Sequence, residues 1–87
     1  MVKDGDYVAI FNSVHRVMEA EQLLKGKKLK MLLIPAPRAL AADCGLAIRY
    51  SEDVRPEVER ALAEAGLLPH DLYRKSGEVF EKIEGDL

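Results

Sequence analysis

Tyr7-Val8-Ala9-Ile10-Phe11 is an unbroken run of apolar, β-branched and aromatic residues between Asp6 and Asn12, and it predicts a buried strand. From Val14 the spacing becomes helical. Val17, Ala20 and Leu24 share a stripe with Val14 and Met18 beside it, while Glu19, Glu21 and Lys25 can face water. Asn12-Ser13 supplies the N-cap, because either side chain can accept a bond from an orphan amide. Gly26 is the expected left-handed cap, with Lys25, Lys27 and Lys28 complementing the helix's negative end. Lys28–Ile34 opens with alternation and closes as a continuous apolar run, predicting a strand that starts exposed and becomes buried. Pro35 and Pro37 end it.

Arg38 to Asp43 is rich in Ala and Leu and fits one helical turn over the top of a sheet, with Pro37 near its start. Leu46-Ala47-Ile48-Arg49-Tyr50 alternates as a third strand. After a polar connection, Ser51–Arg55, Pro56 suits the first position of a second helix, with Glu57 and Glu59 in its first turn. Val58, Ala61, Leu62 and Ala65 form its stripe and Gly66 closes it. Leu72-Tyr73-Arg74-Lys75 reads as a fourth strand. The turn signal Ser76-Gly77 allows Val79–Ile83 to pair back as a short fifth.

This order predicts an α+β fold: a ferredoxin-like two-layer sandwich, βαββαβ with a short fifth strand, its antiparallel sheet covered by two helices on one face. The 87 residues are expected to make one domain with its core in 6–83. Right-handed crossovers make the first two strands parallel with the third between them. The loop 35–45 then lies at the end of the sheet where the first helix starts. It should approach Asn12, Ser13 and His15, with His70 and Asp71 in range.

Composition narrows the function classes. With 48% apolar and 32% charged residues the chain reads as globular. A net charge of −2 implies neither nucleic acid nor a membrane surface as partner. Lys27, Lys28 and Lys30 are too few for a nucleic-acid footprint and read as a solvated helix end and strand edge. The start Met1–Asp6 is polar, and no apolar run approaches a membrane span, so the expected setting is the reducing cytoplasm. There is no phosphate-binding glycine loop, no Ser/His/Asp motif and no His pair at metal-ligand spacing, so no cofactor or metal is implied.

Cys44 is the only cysteine, which excludes an internal disulfide or CxxC pair. It follows a loop and precedes Gly45, which permits close backbone approach. A helix start at Asn12-Ser13 and the candidate cations Arg38 and His15 would favour its thiolate, the nucleophilic form, while Asp43 opposes it. The competing reading is a structural cysteine acting as a small hydrophobe.

Four segments carry a resemblance: Phe11-Asn12-Ser13-Val14-His15, Ala20-Glu21-Gln22-Leu23-Leu24, Ile34-Pro35-Ala36-Pro37-Arg38 and Cys44-Gly45-Leu46-Ala47-Ile48-Arg49. Together they resemble a family of small selenium/sulfur-carrier-like domains, over roughly residues 6–83. Pro-x-Pro-Arg together with Cys-Gly is the most specific part. The resemblance implies a thiol, Cys44, that holds sulfur or selenium as a persulfide or selenosulfide, supplied by a cysteine desulfurase or another sulfur- or selenium-transfer protein. One thiol without a resolving partner suits this, since a second would release the sulfur as a disulfide formed. A carrier or binding protein is thus expected rather than an enzyme. The alternative is a small-ligand or protein-binding regulatory module with a structural cysteine. A homodimer through the Val79–Ile83 edge is compatible with either.

Overall fold

The computed structural model describes residues 2–40 and 44–84. The elements are β1 (Tyr7–Ile10), α1 (Val14–Gly26), β2 (Leu32–Pro35), β3 (Leu46–Tyr50), α2 (Arg55–Glu64), β4 (Asp71–Ser76) and β5 (Val79–Lys82), with a 3-10 turn at Glu52–Val54 leading into α2. The strands form one open sheet in the order β2-β3-β1-β4-β5, every pairing antiparallel. β1 and β2 therefore run the same way with β3 between them. This is a small α+β architecture.

All four residues of β1 are buried, as its continuous apolar run demands. On one face Tyr7, Ala9 and Phe11 join Ile48, Tyr50 and Leu72 beneath Val17, Ala20 and Leu24 of α1 and Val58, Ala61 and Leu62 of α2. On the other face Val8, Ile10, Ile34 and Ala47 are equally buried although no helix packs there. Leu40, from the turn after β2, lies over them at 6% exposure, with Val2, Ala36, Tyr73 and Phe80 around it. Removing a leucine from water is worth roughly 2 kcal/mol, so Leu40 ties its loop to the sheet.

Sequence and structure part at specific places. Gly26 is not the left-handed residue; it is still helical, and Lys28 takes that conformation at φ 59°. Lys28 N–H donates to Lys25 O and Leu29 N–H to Leu24 O, both at 3.0 Å. This pair of bonds satisfies the helix's last carbonyls, while Leu29 joins Leu24 in the core. Those residues being used, β2 begins only at Leu32. As an edge strand it buries Ile34 alone and leaves Leu32 46% exposed. The helical turn expected from Arg38 is a single turn closed by Leu40 N–H donating to Pro37 O; the rest of that segment, 41–43, lies outside the described residues. α2 ends as expected, with Gly66 at φ 70° and Leu67 N–H donating to Leu62 O at 2.8 Å, but Ala65 faces solvent. On β3, Arg49 pairs with buried Asp6 at 3.0 Å.

The sheet end formed by the start of β1 is closed by a polar cluster. The Tyr7 ring stacks on Tyr50 with centroids 5.8 Å apart, and the Arg55 guanidinium lies 4.4 Å over the Tyr7 ring. Arg55 donates to the Tyr7 hydroxyl (2.7 Å) and to Glu59 (2.8 Å), and Tyr7 donates to Glu52 (2.6 Å). Burial is the main cause that pushes both phenols above their ordinary range, with Glu52 adding at Tyr7 and Glu59 at Tyr50. Both remain protonated donors at neutral pH.

A lysine at φ 59° carries a Cβ penalty that glycine lacks. Lys28→Gly should therefore stabilise the fold by about 0.5–1 kcal/mol, measured as a shift in urea midpoint at unchanged slope. Destabilisation would show that the lysine side chain matters there.

Candidate functional site

The opposite end of the sheet gathers the residues with chemistry. β1 ends there, α1 starts there, β3 and β4 begin there, and β2 runs out into its prolines. Backbone bonds hold these pieces in place: Ala36 N–H donates to Gly45 O (2.9 Å), and His70 N–H to Ile10 O (2.8 Å). Gly45 has φ 74° and is exposed; nothing lies within 4 Å of where a Cβ would be, so conformation rather than space calls for glycine.

Cys44 is half-buried at this junction and packs against the helix-side core beside Leu46. Its Sγ lies 3.2 Å from Leu46 O and 3.4 Å from Phe11 O. Carbonyl oxygens only accept, so these contacts are made by an S–H proton directed at the end of β1 and the start of β3.

The other expected site residues are placed less closely. Ser13 is the N-cap, its hydroxyl accepting from Arg16 N–H at 3.1 Å. Asn12 is exposed beside it. His15 stands on the solvent side of α1, 3.4 Å from Glu19, and is 85% exposed, so its charge partner is the helix's own carboxylate. Arg38 is exposed in the turn after β2. Among the described residues no hydrogen bond joins any of these side chains to the Cys44 sulfur. Asp43 lies outside the described residues.

Two features of this end carry weaker sequence signals. His70 Nδ1 lies 3.0 Å from Asp71 Oδ2, and Lys82 lies 3.2 Å from Asp71 Oδ1. Only their meeting at the start of β4 brings the three together; β5 supplies the lysine. Burial alone would raise the Asp71 carboxyl, but hydrogen bonds from His70 and Lys82, with their charge, outweigh it and hold Asp71 below the usual carboxylate range. The second is Arg16, which donates to Gly66 O at 2.9 Å and so ties the start of α1 to the end of α2. Among the described residues no group of three or more His, Cys, Asp or Glu is arranged to hold a metal ion. A surface hollow of about 330 Å³, lined by Lys27, Leu29, Glu57, Arg60, Ala61 and Glu64, shares no residue with the cysteine loop.

Fold and site define a class: a small α+β domain presenting one thiol at a Cys-Gly junction on a sheet end. The family model described as "Putative Se/S carrier protein-like" matches residues 6–74, and the chain belongs to that family. The matched span ends within β4, so β5 lies beyond it. No curated protein and no solved structure matches the chain. No helix among the described residues is long and apolar enough to cross a membrane.

Leu40→Ala should cost about 2–3 kcal/mol and accelerate native-state labelling of Cys44 by a thiol reagent, because the loop loses its anchor. A stability loss with unchanged labelling would separate the anchor from the thiol. For Asp71, the folded carboxyl is more acidic than the unfolded one, so its contribution is present above an unfolded value of about 3.9 and is lost as pH falls through the folded value. Asp71→Asn should cost about 0.5–1 kcal/mol at pH 7, with the difference shrinking in denaturant titrations as acid protonates the folded carboxyl.

Proposed function

We propose that this protein is a sulfur or selenium carrier that holds the transferred atom on Cys44. The observation that carries the reading is the lone half-buried thiol at Cys44-Gly45, at a sheet end, in a chain belonging to a Se/S-carrier-like family. The strand order β2-β3-β1-β4, with α1 and α2 as crossovers, supports placing the fold among ferredoxin-like sandwiches, β5 being an addition beside β4. The expected setting is a reducing cytoplasm, where the thiol persists.

Loading starts with the Cys44 thiolate attacking the terminal sulfur of a donor persulfide, such as that of a cysteine desulfurase. The Cys44 S–S bond forms, the donor's S–S bond breaks, and the donor leaves as a thiolate that takes up a proton. An acceptor nucleophile then takes the outer sulfur and Cys44 leaves as thiolate. The sulfur is exchanged between equivalent partners, so no external oxidant is needed. Gly45 supplies the left-handed backbone that follows the thiol, and the amides opening α1, with Arg38 in the neighbouring turn, are the groups available to steady an anion.

Geometry adds a requirement. An S–S bond is about 2.05 Å long, whereas the nearest carbonyl oxygens lie 3.2 and 3.4 Å from Sγ. An outer sulfur directed along either contact would collide with the oxygen. The outer sulfur must therefore point away from Phe11 O and Leu46 O.

The contacts of Cys44 with the core favour one competing reading, a structural cysteine in a binding or regulatory module. Mass spectrometry after incubation with a cysteine desulfurase and cysteine decides between them. The wild type should gain cyanide-labile sulfur that Cys44→Ser does not. Equal gain by both proteins would sink the carrier reading. Native Cys44 should also label with a thiol reagent faster than global unfolding alone permits; labelling only through unfolding would favour the structural cysteine.

A further inference from the structure

Five of the thirteen cations and none of the fifteen carboxylates fall between residues 22 and 42, so this stretch carries +5 while the remainder of the chain carries −7. Edge strand β2 lies within it. Lys25 is paired with Glu21 at 3.3 Å. Lys27 shares the surface hollow with Glu57 and Glu64. Lys28, Lys30 and Arg38 are exposed and make no ion pair among the described residues.

The backbone of β2 is open on its outer side. Ala36 N–H bonding to Gly45 O fixes the phase of the ladder, so Ile34 and Leu32 turn their polar groups towards β3. Leu33 then directs its N–H and C=O outward, and Pro35 only its C=O. Leu32, at 46% exposure, adds an apolar contact on the face without helices.

We propose that β2 is a docking edge for an extended acidic segment of a partner protein, added as a further strand beside Lys28, Lys30 and Arg38. Charge selects the occupant. Antiparallel pairing of β2 with its own copy about Leu33 would set Lys28 opposite Arg38 of the other copy, a like-charge contact, and lysine and proline on an edge discourage self-pairing. The β5 edge, with Glu78, Glu81 and Glu84, has the complementary charge. Joining it to β2 of another copy, however, is a head-to-tail contact that must either close into a ring or grow into a filament, and Lys82 stands on the same strand as Glu81. The occupant is therefore a different chain. β2 runs directly into Pro35–Arg38, and its partner strand β3 follows Cys44-Gly45, so a docked segment reaches the sheet end that carries the thiol. Only the naming of a sulfur-transfer protein as owner of that segment rests on the carrier reading.

The test is an amide NMR titration of the full chain with a capped hexapeptide alternating valine and glutamate. The largest shifts and slowed exchange should fall on β2, centred on Leu33, and binding should weaken as added salt shortens the Debye length from about 30 Å to about 8 Å. Lys28→Glu with Lys30→Glu should weaken it about tenfold or more at an unchanged thermal midpoint. Cys44→Ser should bind like wild type, which separates this test from any failure of sulfur loading. Absence of shifts at β2 overturns the proposal. So do equal shifts with a lysine–valine peptide, or with oligothymidylate, which would mark a general polyanion surface. Concentration-dependent shifts at β2 and β5 without peptide would identify a second copy as the occupant and overturn it as well.

Discussion

The constraint on which the rest depends is that β1 is buried on both faces while helices cover only one. Tyr7 and Ala9 face α1 and α2, and Val8 and Ile10 face away from them. A strand between two neighbours has no other way to leave water, so the second face needs its own cover. The chain provides it with Leu40, assisted by Val2, Ala36, Tyr73 and Phe80. None of these belongs to a helix. The cover is made of a turn, a terminal segment and two side chains from β4 and β5.

This constraint links stability to the candidate site. The segment from β2 to β3 must carry Leu40 to one face of the sheet and return with Cys44 directed at the other. Such a loop is held at its middle and at both ends, the outer ends being fixed by the Ala36–Gly45 bond. The two ends of the sheet then differ in kind. Around Tyr7, Tyr50, Arg55, Glu52 and Glu59 every named polar group has a partner, and phenols and charges form one closed cluster. Around Cys44 the partners are backbone carbonyls and the side chains are exposed. Rigidity is concentrated at one end and accessibility at the other.

Much of this was legible in the residues themselves. The run Tyr7–Phe11, the stripes Val17-Ala20-Leu24 and Val58-Ala61-Leu62, the alternation Leu46–Tyr50 and the Ser76-Gly77 turn signal each express a local period or turn chemistry. The third strand's bounds coincide with those observed. What could not be read arises from contacts distant in sequence. Nothing local marks Lys28 as left-handed; Gly26, two residues earlier, is the stronger local signal, and the Leu24–Leu29 contact overrides it. Leu40 sits in an alanine-rich stretch without a period, so its burial follows only from the uncovered face. At the site, Cys44, Gly45 and the strand ends were legible. The acceptors of the thiol were not, because they are main-chain atoms that any residue would supply. His15 misled for a simple reason: a position four residues before Glu19 on an exposed helix face finds its partner within the helix.

The carbonyls facing Cys44 also shape how a carrier could work. With a proton on sulfur, the side chain satisfies two backbone acceptors and fills space beside Phe11 and Leu46. With an added sulfur the thiol proton is gone, and the two carbonyls at this sheet end lose their donor. Empty and loaded forms thus differ in how well this sheet end is satisfied, although the chemistry touches one atom.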